Sequence, residues 1–344
     1  MTKHLTKKKA EEIEASSKNK ELLFGEPEDP TRREAIRAVV LGGATVAASS
    51  VLGAGTVFAQ DKPSGSAKKE LAGKTAFITG GARGIGLATA EEMAKAGANV
   101  VLYDIASGQI PHVGYPVATE SDLQSAKAKI EGLGVKCLAF KGDVRNRGEL
   151  ESAMAKAVAT FGGLDIVVAN AGVTQAGNIE EFSDQEISVI FNINVAGVVK
   201  TTQAAAPFMK KQKSGRIIYI SSGLGRMGNE LFPIYVSSKW AVIGFAKSAA
   251  LAFAQHNIMC NTVCPGLVHT KLFDNEYTLK KMAPHNPTIE TVWEMLKGGN
   301  PIPMGYYEPI DIAKAVIFFA GEATAKVTGE VFDISFGTNA RNIG

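Results

Sequence analysis

From residue 71 onward the chain alternates short β-rich apolar runs with longer alanine-rich runs. Lys74–Thr79 is a brief, continuous apolar run of the kind a fully buried strand shows. Gly80–Gly86 reads as a turn, and Leu87–Gly97 as a helix. Asn99–Tyr103 is the next strand and ends in Asp104, and Arg216–Ser221 reads as another strand whose side chains alternate between two faces. A helix-like run opens at Tyr235 and Lys239. This alternation predicts an α/β fold with a parallel sheet flanked by helices.

The first strand–turn–helix unit carries chemistry. Its turn follows Thr-Gly-x-x-x-Gly-x-Gly, contributing Thr79, Gly80, Arg83, Gly84, Ile85 and Gly86. Glycines let a pyrophosphate approach the backbone, and a helix N-terminus offers free N–H groups and a positive dipole end. The context on both sides makes this a candidate dinucleotide site. Asp104 lies about 20 residues on, where a carboxylate accepts bonds from ribose hydroxyls and repels a 2′-phosphate. It favours NAD over NADP. Arg83 argues the other way, since a basic residue in the turn can reach a 2′-phosphate, and Asp104 could instead be an ordinary strand-end turn residue. We weight Asp104 more heavily, because like charges would meet there.

Ser222, Tyr235 and Lys239 form a second constellation. Tyr235 follows Ser222 by thirteen positions and Lys239 follows Tyr235 by four, which puts the last two on one helix face. A phenol beside an ammonium is expected to have a lowered pKa and can exchange a proton with an alcohol oxygen, while a serine at a strand end could hold that oxygen. By itself a Tyr-x-x-x-Lys pair is a common feature of solvated helices. Ser222 is preferred over Ser221 because the two point to opposite faces and the spacing to Tyr235 favours the second.

Together these segments resemble the short-chain dehydrogenase/reductase family. The matching residues are Thr79–Gly86, Gly142-Asp143-Val144, Asn170-Ala171-Gly172, Asn194, Ile220–Ser222, Tyr235–Lys239 and Pro265–Thr270, in family order across residues 71–340. The resemblance implies a single doubly wound Rossmann-type domain that moves hydride between NAD and a secondary alcohol or ketone. It implies that Asp143, with Val144 beside it, meets the adenine; that Asn170, Ala171 and Gly172 underlie the adenosine ribose; and that Pro265, Gly266, Val268 and Thr270 form the nicotinamide loop. Ser222 would bind the substrate oxygen, Tyr235 would be the acid/base, Lys239 would lower its pKa and hold the nicotinamide ribose, and Asn194 would hold a water on the proton path. The chain departs from the family pattern at Ala169 and at Phe332–Gly337.

A longer departure runs from Ile105 to Ser121, where most members have only a few residues. It resembles the insert of the carveol-dehydrogenase-like subgroup, some members of which are coupled to mycofactocin, as does the segment from Asn300 to Val316. There the insert covers bound NAD and slows its exchange; the alternative is a solvent loop without a role. Long loops at cofactor sites are more often functional than idle.

Composition adds limits. The 344 residues, 45% hydrophobic, suffice for one large core. A net charge of +3 without basic clusters among aromatics excludes nucleic acid as an expected partner. Three cysteines (Cys137, Cys260, Cys264) without close spacing argue for buried thiols rather than zinc or a disulfide framework, and five scattered histidines suggest no metal site. Cys264 could have a redox role and His269 could touch substrate. Leu267–Tyr307, with Leu272, Phe273, Tyr277, Leu279, Met282, Trp293, Met295 and Met304, is the expected substrate lid and suits a hydrophobic alcohol or ketone.

Residues 1–59 read as a twin-arginine signal peptide: Arg32-Arg33 precedes a Gly/Ala/Ser-rich stretch with no charge between Arg37 and Asp61. An uncleaved membrane anchor and a disordered leader are the alternatives. Residues 60–70 read as a linker and 71–344 as the catalytic domain. The expectations are export to the periplasm, membrane contact only through the signal segment, a homotetramer and an external redox partner for a retained NAD. The rival functions are an epimerase or dehydratase on the same fold and a non-catalytic NAD-binding protein.

Overall fold

In the computed structural model, residues 69–340 are described; the leader and most of the linker read from the sequence lie outside them. Seven strands form one sheet: β1 Thr75–Thr79, β2 Asn99–Asp104, β3 Cys137–Lys141, β4 Ile166–Ala169, β5 Gly215–Ile220, β6 Ile258–Pro265 and β7 Val331–Ile334. All pair in parallel, in the order β3-β2-β1-β4-β5-β6-β7. The order reverses between β1 and β4, and a ligand crevice opens beyond the carboxyl ends of the strands at such a switch point.

Helices cover both faces. On one side lie α1 (Gly84–Lys95), α2 (Glu120–Glu131) and α9 (Pro309–Ala320); on the other lie α3 (Arg147–Phe161), α5 (Gly197–Gln212) and α6 (Pro233–Phe253). Strand alternation sorts the core accordingly. Phe77, Val101, Val167 and Ile217 pack with Met154 and Met209, whereas Ile78, Leu102, Val168 and Ile218 pack with Met93, Leu123 and Phe319. Burial on both faces explains why the strands read as apolar runs rather than as alternating ones.

Several boundaries differ from the sequence reading. The first helix begins at Gly84, so the later glycines are already helical. Thr119 caps α2 in a reciprocal box with Asp122, which ends the insert at Thr119 rather than Ser121. Between α4 (Asp184–Phe191) and α5 the chain widens into a π-helical turn, Asn192–Ala196, which carries Asn194. Such turns cost regular hydrogen bonding and concentrate at functional sites.

The expected lid is a closed excursion. Val268 bridges to Tyr307; the His269 amide donates to the Tyr307 carbonyl, and the Tyr307 amide to the Leu267 carbonyl, both at 2.8 Å. Between them lie α7 (Glu276–Met282) and α8 (Ile289–Gly299), with Leu279, Ala283 and Val292 as a small core of their own. Met295 and Met304, expected to line the lid, are instead more than half exposed at 61% and 52%.

Candidate active site

The crevice is a cavity of about 700 Å³ running from the glycine turn to Lys239. It is lined by every residue assigned above to cofactor or catalysis except Thr79, Gly86 and Asn194, which stand just behind its wall. Each of those three has a structural task. The Thr79 hydroxyl accepts the amides of Asn170 and Ala171 at 3.0 and 3.1 Å, joining the ends of β1 and β4. A Cβ on Gly86 would run into the Gly80 carbonyl oxygen, so only glycine lets the turn fold back on its helix. The Asn170 carboxamide occupies the space that bare Gly80 and Gly86 leave, donating to the Thr79 and Gly80 carbonyls at 2.9 and 3.1 Å.

This turn fits a dinucleotide. Arg83 at the N-cap of α1 offers no side-chain cap, and no acidic residue lies in the first turn, so the leading N–H groups remain available to an anion. Asp104 is 7% exposed at the end of β2; its two carboxylate oxygens accept the Ala82 and Ala106 amides, each at 3.1 Å. Burial pushes its pKa up, and these two bonds pull it back down. Arg83 is directed elsewhere than the sequence suggested: its guanidinium donates to the Pro116 carbonyl of the insert at 2.6 Å. At the adenine end, the Asp143 carboxylate is held by the Arg145 amide and guanidinium, and Val144 is buried against Gly197.

At the other end, β5 delivers Ser221 and Ser222. They diverge as the strand alternation requires: the Ser221 hydroxyl donates to the Lys239 carbonyl at 2.9 Å, while the Ser222 hydroxyl accepts the Leu224 amide at 3.1 Å and lines the cavity beside Tyr235. Pro233 at the start of α6 sets Tyr235 and Lys239 one turn apart, and both are buried, at 5% and 4% exposure. The Lys239 ammonium lies 5.5 Å from the Tyr235 ring centroid and donates to the Ile220 carbonyl at 2.9 Å.

Electrostatically the pair departs from the expectation of a lowered phenol pKa. Burial pushes Tyr235 up to about 12, with the Ser222 hydroxyl pulling the other way, and burial pushes Lys239 down to about 8. Both charged forms are penalised by the same dry surroundings, and in the chain alone this outweighs attraction between them. Asn194 is fully buried: its carboxamide accepts the Val173 amide at 2.9 Å and donates to the Val173 carbonyl and the Ser238 hydroxyl at 2.9 and 3.0 Å. It thereby ties the loop after β4 to the helix carrying Tyr235.

Cys264 lies under the same site, wholly buried, with burial pushing its thiol up to about 12, so it is not a reactive thiolate. His269 lines the cavity and also joins lid to body, lying edge-on to Trp293 and Tyr306 and within 3.8 and 3.6 Å of Asp274 and Glu308. Tyr235 packs in an apolar cluster with Ala176, Phe232, Leu224, Leu231, Phe273 and Met282, of which Phe273 also lines the cavity, next to Leu272.

The insert contributes residues that the sequence reading did not single out. Ile110, Val113, Tyr115, Val117 and Ala118 are buried, so it is packed structure and not a solvent loop. Tyr115 reaches the cavity; its oxygen accepts the Thr174 amide at 2.9 Å. The signal available in the sequence was an aromatic residue between Gly114 and Pro116 in an otherwise unpatterned loop.

A glycine turn at a topological switch point, an acid at the end of β2 and a Ser–Tyr–Lys cluster in one cavity define a dinucleotide-dependent oxidoreductase site. Comparison with known proteins agrees: residues 74–280 match the short chain dehydrogenase family model, and the chain belongs to that family. It is 32% identical over 273 residues to the (-)-trans-carveol dehydrogenase of Rhodococcus erythropolis, covering 78% of this chain and 98% of that protein. It is 34% identical over 259 residues to a diacetyl reductase of Staphylococcus epidermidis, covering 75% and 95%. Among solved structures, carveol dehydrogenase from Mycobacterium avium in complex with NAD superposes with a TM-score of 0.77 at 30% identity, over 79% of this chain and all of that one. Carveol dehydrogenases thus stand among both relatives and structures, as the subgroup resemblance expects.

Proposed function

We propose that the chain is an NAD-dependent dehydrogenase/reductase interconverting a hydrophobic secondary alcohol and its ketone. The observation that carries this reading is the convergence of Ser222, Tyr235 and Lys239 on the same cavity as the glycine turn. NAD, when bound, supplies the hydride acceptor or donor. Gly80, Gly84 and the N-terminus of α1 hold its phosphates, Asp104 its adenosine ribose, and Pro265, Gly266, Val268 and Thr270 flank its nicotinamide. The Ser222 hydroxyl holds the substrate oxygen, and Tyr235 exchanges a proton with it. Lys239 keeps donors beyond the one spent on Ile220 and offsets negative charge on the phenol as it forms. Asn194 fixes the loop and helix between which that proton leaves. The apolar cavity lining contributed by Val173, Ile193, Leu272 and Phe273 supports a substrate with little polarity beyond its reacting oxygen.

The packed insert supports a cofactor that exchanges slowly, and a retained NAD calls for an external redox partner. The twin-arginine leader, which would carry a folded and loaded protein, supports export to the periplasm. Exposed Trp240 and Leu251 on α6 and exposed Phe318 and Phe332 near β7 support assembly as a homotetramer.

The test is Tyr235→Phe, assayed with small alicyclic alcohols and ketones while NADH binding is measured in parallel. Positioned acid/base groups contribute roughly 10²–10⁴-fold, so turnover should fall by about that factor with NADH affinity within about twofold of the wild type. Residual activity near the wild-type level would sink the reading. Bound nucleotide identified by mass spectrometry in the protein as purified would support retention.

A further inference from the structure

The insert holds a buried hydroxyl that the mechanism above leaves unused. Tyr115 is 2% exposed, lines the cavity, and accepts the Thr174 amide. Among the described residues no acceptor is found for the Tyr115 proton itself. A buried donor left without an acceptor is costly, so such a group at a cavity wall points to a ligand atom. Its neighbour Pro116 is bonded to Arg83 of the glycine turn, and Tyr115 shares the cavity lining with Tyr235 and Gly84.

Its position is fixed by neighbours. The Gly114 amide donates to the Gln175 carboxamide at 3.1 Å, the Tyr277 ring covers Gly114, and Arg83 holds the Pro116 carbonyl. The guanidinium thus brings positive charge to the backbone next to Tyr115. Gly80, Gly84 and Ile85 of the glycine turn line the same cavity. An acceptor for the Tyr115 proton in a cavity that also holds the glycine turn and this guanidinium is best served by an anionic oxygen.

We propose that the Tyr115 hydroxyl donates to the central diphosphate of the bound dinucleotide and is a cofactor-retaining residue. The proposal rests on the reading that this cavity holds NAD. It makes the insert a second clamp on the diphosphate, facing the glycine turn, and gives slow exchange a specific atom.

The experiment compares wild type, Tyr115→Phe and Gln175→Met in the full chain. Tyr115→Phe keeps the ring and deletes the hydroxyl. Gln175→Met loosens the neighbouring anchor and leaves the hydroxyl in place. NADH release is followed by fluorescence, and ADP-ribose, which has the diphosphate but no nicotinamide, is titrated by calorimetry. A hydrogen bond to a charged acceptor is worth about tenfold or more. Tyr115→Phe should release NADH about tenfold faster and weaken ADP-ribose by a similar factor, while Gln175→Met changes either by less than about threefold.

Equal effects of the two variants would mean that the hydroxyl acts only by docking the insert, and would overturn the proposal. A loss with NADH but not with ADP-ribose would move the contact to the nicotinamide side and overturn the diphosphate assignment. A raised substrate KM with NADH release unchanged would assign the hydroxyl to substrate, also against the proposal, as would a variant indistinguishable from wild type. A wild type that binds neither NADH nor ADP-ribose would remove the cofactor reading itself, and the proposal with it.

Discussion

Arg83 donates to the Pro116 carbonyl oxygen at 2.6 Å across 33 positions of chain, joining the glycine turn to the insert. The guanidinium therefore acts as a tether for the cover and is not a free ligand for a 2′-phosphate. Arg83→Met should speed NADH release about three- to fivefold, the scale of one partly exposed hydrogen bond at about 1 kcal/mol. NADPH should bind no worse relative to NADH. A selective loss of NADPH binding with NADH release unchanged would show that the arginine serves the phosphate instead.

Gly86 and Gly244 make opposite predictions for the same change. A Cβ at Gly86 meets the Gly80 carbonyl oxygen, which is backbone and cannot swing aside, while Gly244 sits in α6 with nothing within 4 Å of an added Cβ. Gly86→Ala should cost about 2–3 kcal/mol, the scale of forced overpacking, and abolish tight NADH binding. Gly244→Ala should stabilise by about 0.5–1 kcal/mol, because alanine loses less entropy in a helix interior. Urea unfolding of both variants decides: a tolerated Gly86→Ala would mean that the turn does not fold back on its helix.

Much of this site was legible in the sequence because its chemistry is local. Tyr235 and Lys239 are one helical turn apart, Ser222 ends a strand, and the glycines sit together between a strand and a helix, so spacing alone brings each group to one place. What escaped spans unpatterned chain. Tyr115 meets Thr174 across 59 positions and Arg83 meets Pro116 across 33, and no periodicity announces either contact. The direction of the Tyr235 and Lys239 shifts was also hidden, since spacing reveals that two groups are neighbours but not how completely water is excluded from them. Met295 and Met304 looked like lid lining from composition, yet α8 packs inward through Val292 and Leu296 and turns Met295 outward, and Met304, in the segment after α8, is exposed as well.

Buried Lys239 makes a stability prediction whose sign is unusual for a catalytic residue. Its pKa is pushed down to about 8 from an ordinary 10.5, by burial above all. A depressed pKa contributes stability that is complete above the unfolded value and lost as pH falls through the folded one. At pH 7 the buried ammonium thus costs about 3 kcal/mol relative to pH above 10.5, offset in part by its bond to Ile220. Nucleotide-free Lys239→Met should be more stable than wild type at pH 7, by about 1–3 kcal/mol, with the gap closing toward pH 10. A gap that stays constant between pH 7 and pH 10 would mean that the amine is not desolvated as the geometry requires.

Asp104 should set the choice between NAD and NADP, and pH should reveal it. The carboxylate is fixed by the Ala82 and Ala106 amides at the end of β2 and has no salt-bridge partner within 4.0 Å among the described residues. Facing a ribose, it leaves its negative charge to repel a 2′-phosphate. Asp104→Asn keeps the shape and one amide's acceptor and removes the charge, so preference for NADH over NADPH should fall at least about tenfold, or about 1.4 kcal/mol. Because burial raises the Asp104 pKa, the wild-type carboxylate takes up its proton at a higher pH than an exposed aspartate does. Acidification should therefore relax wild-type discrimination against NADPH while leaving Asp104→Asn unaffected. Competition titrations of NADH and NADPH at neutral and mildly acidic pH test both points. Equal pH responses in the two proteins would show that some other group carries the selectivity.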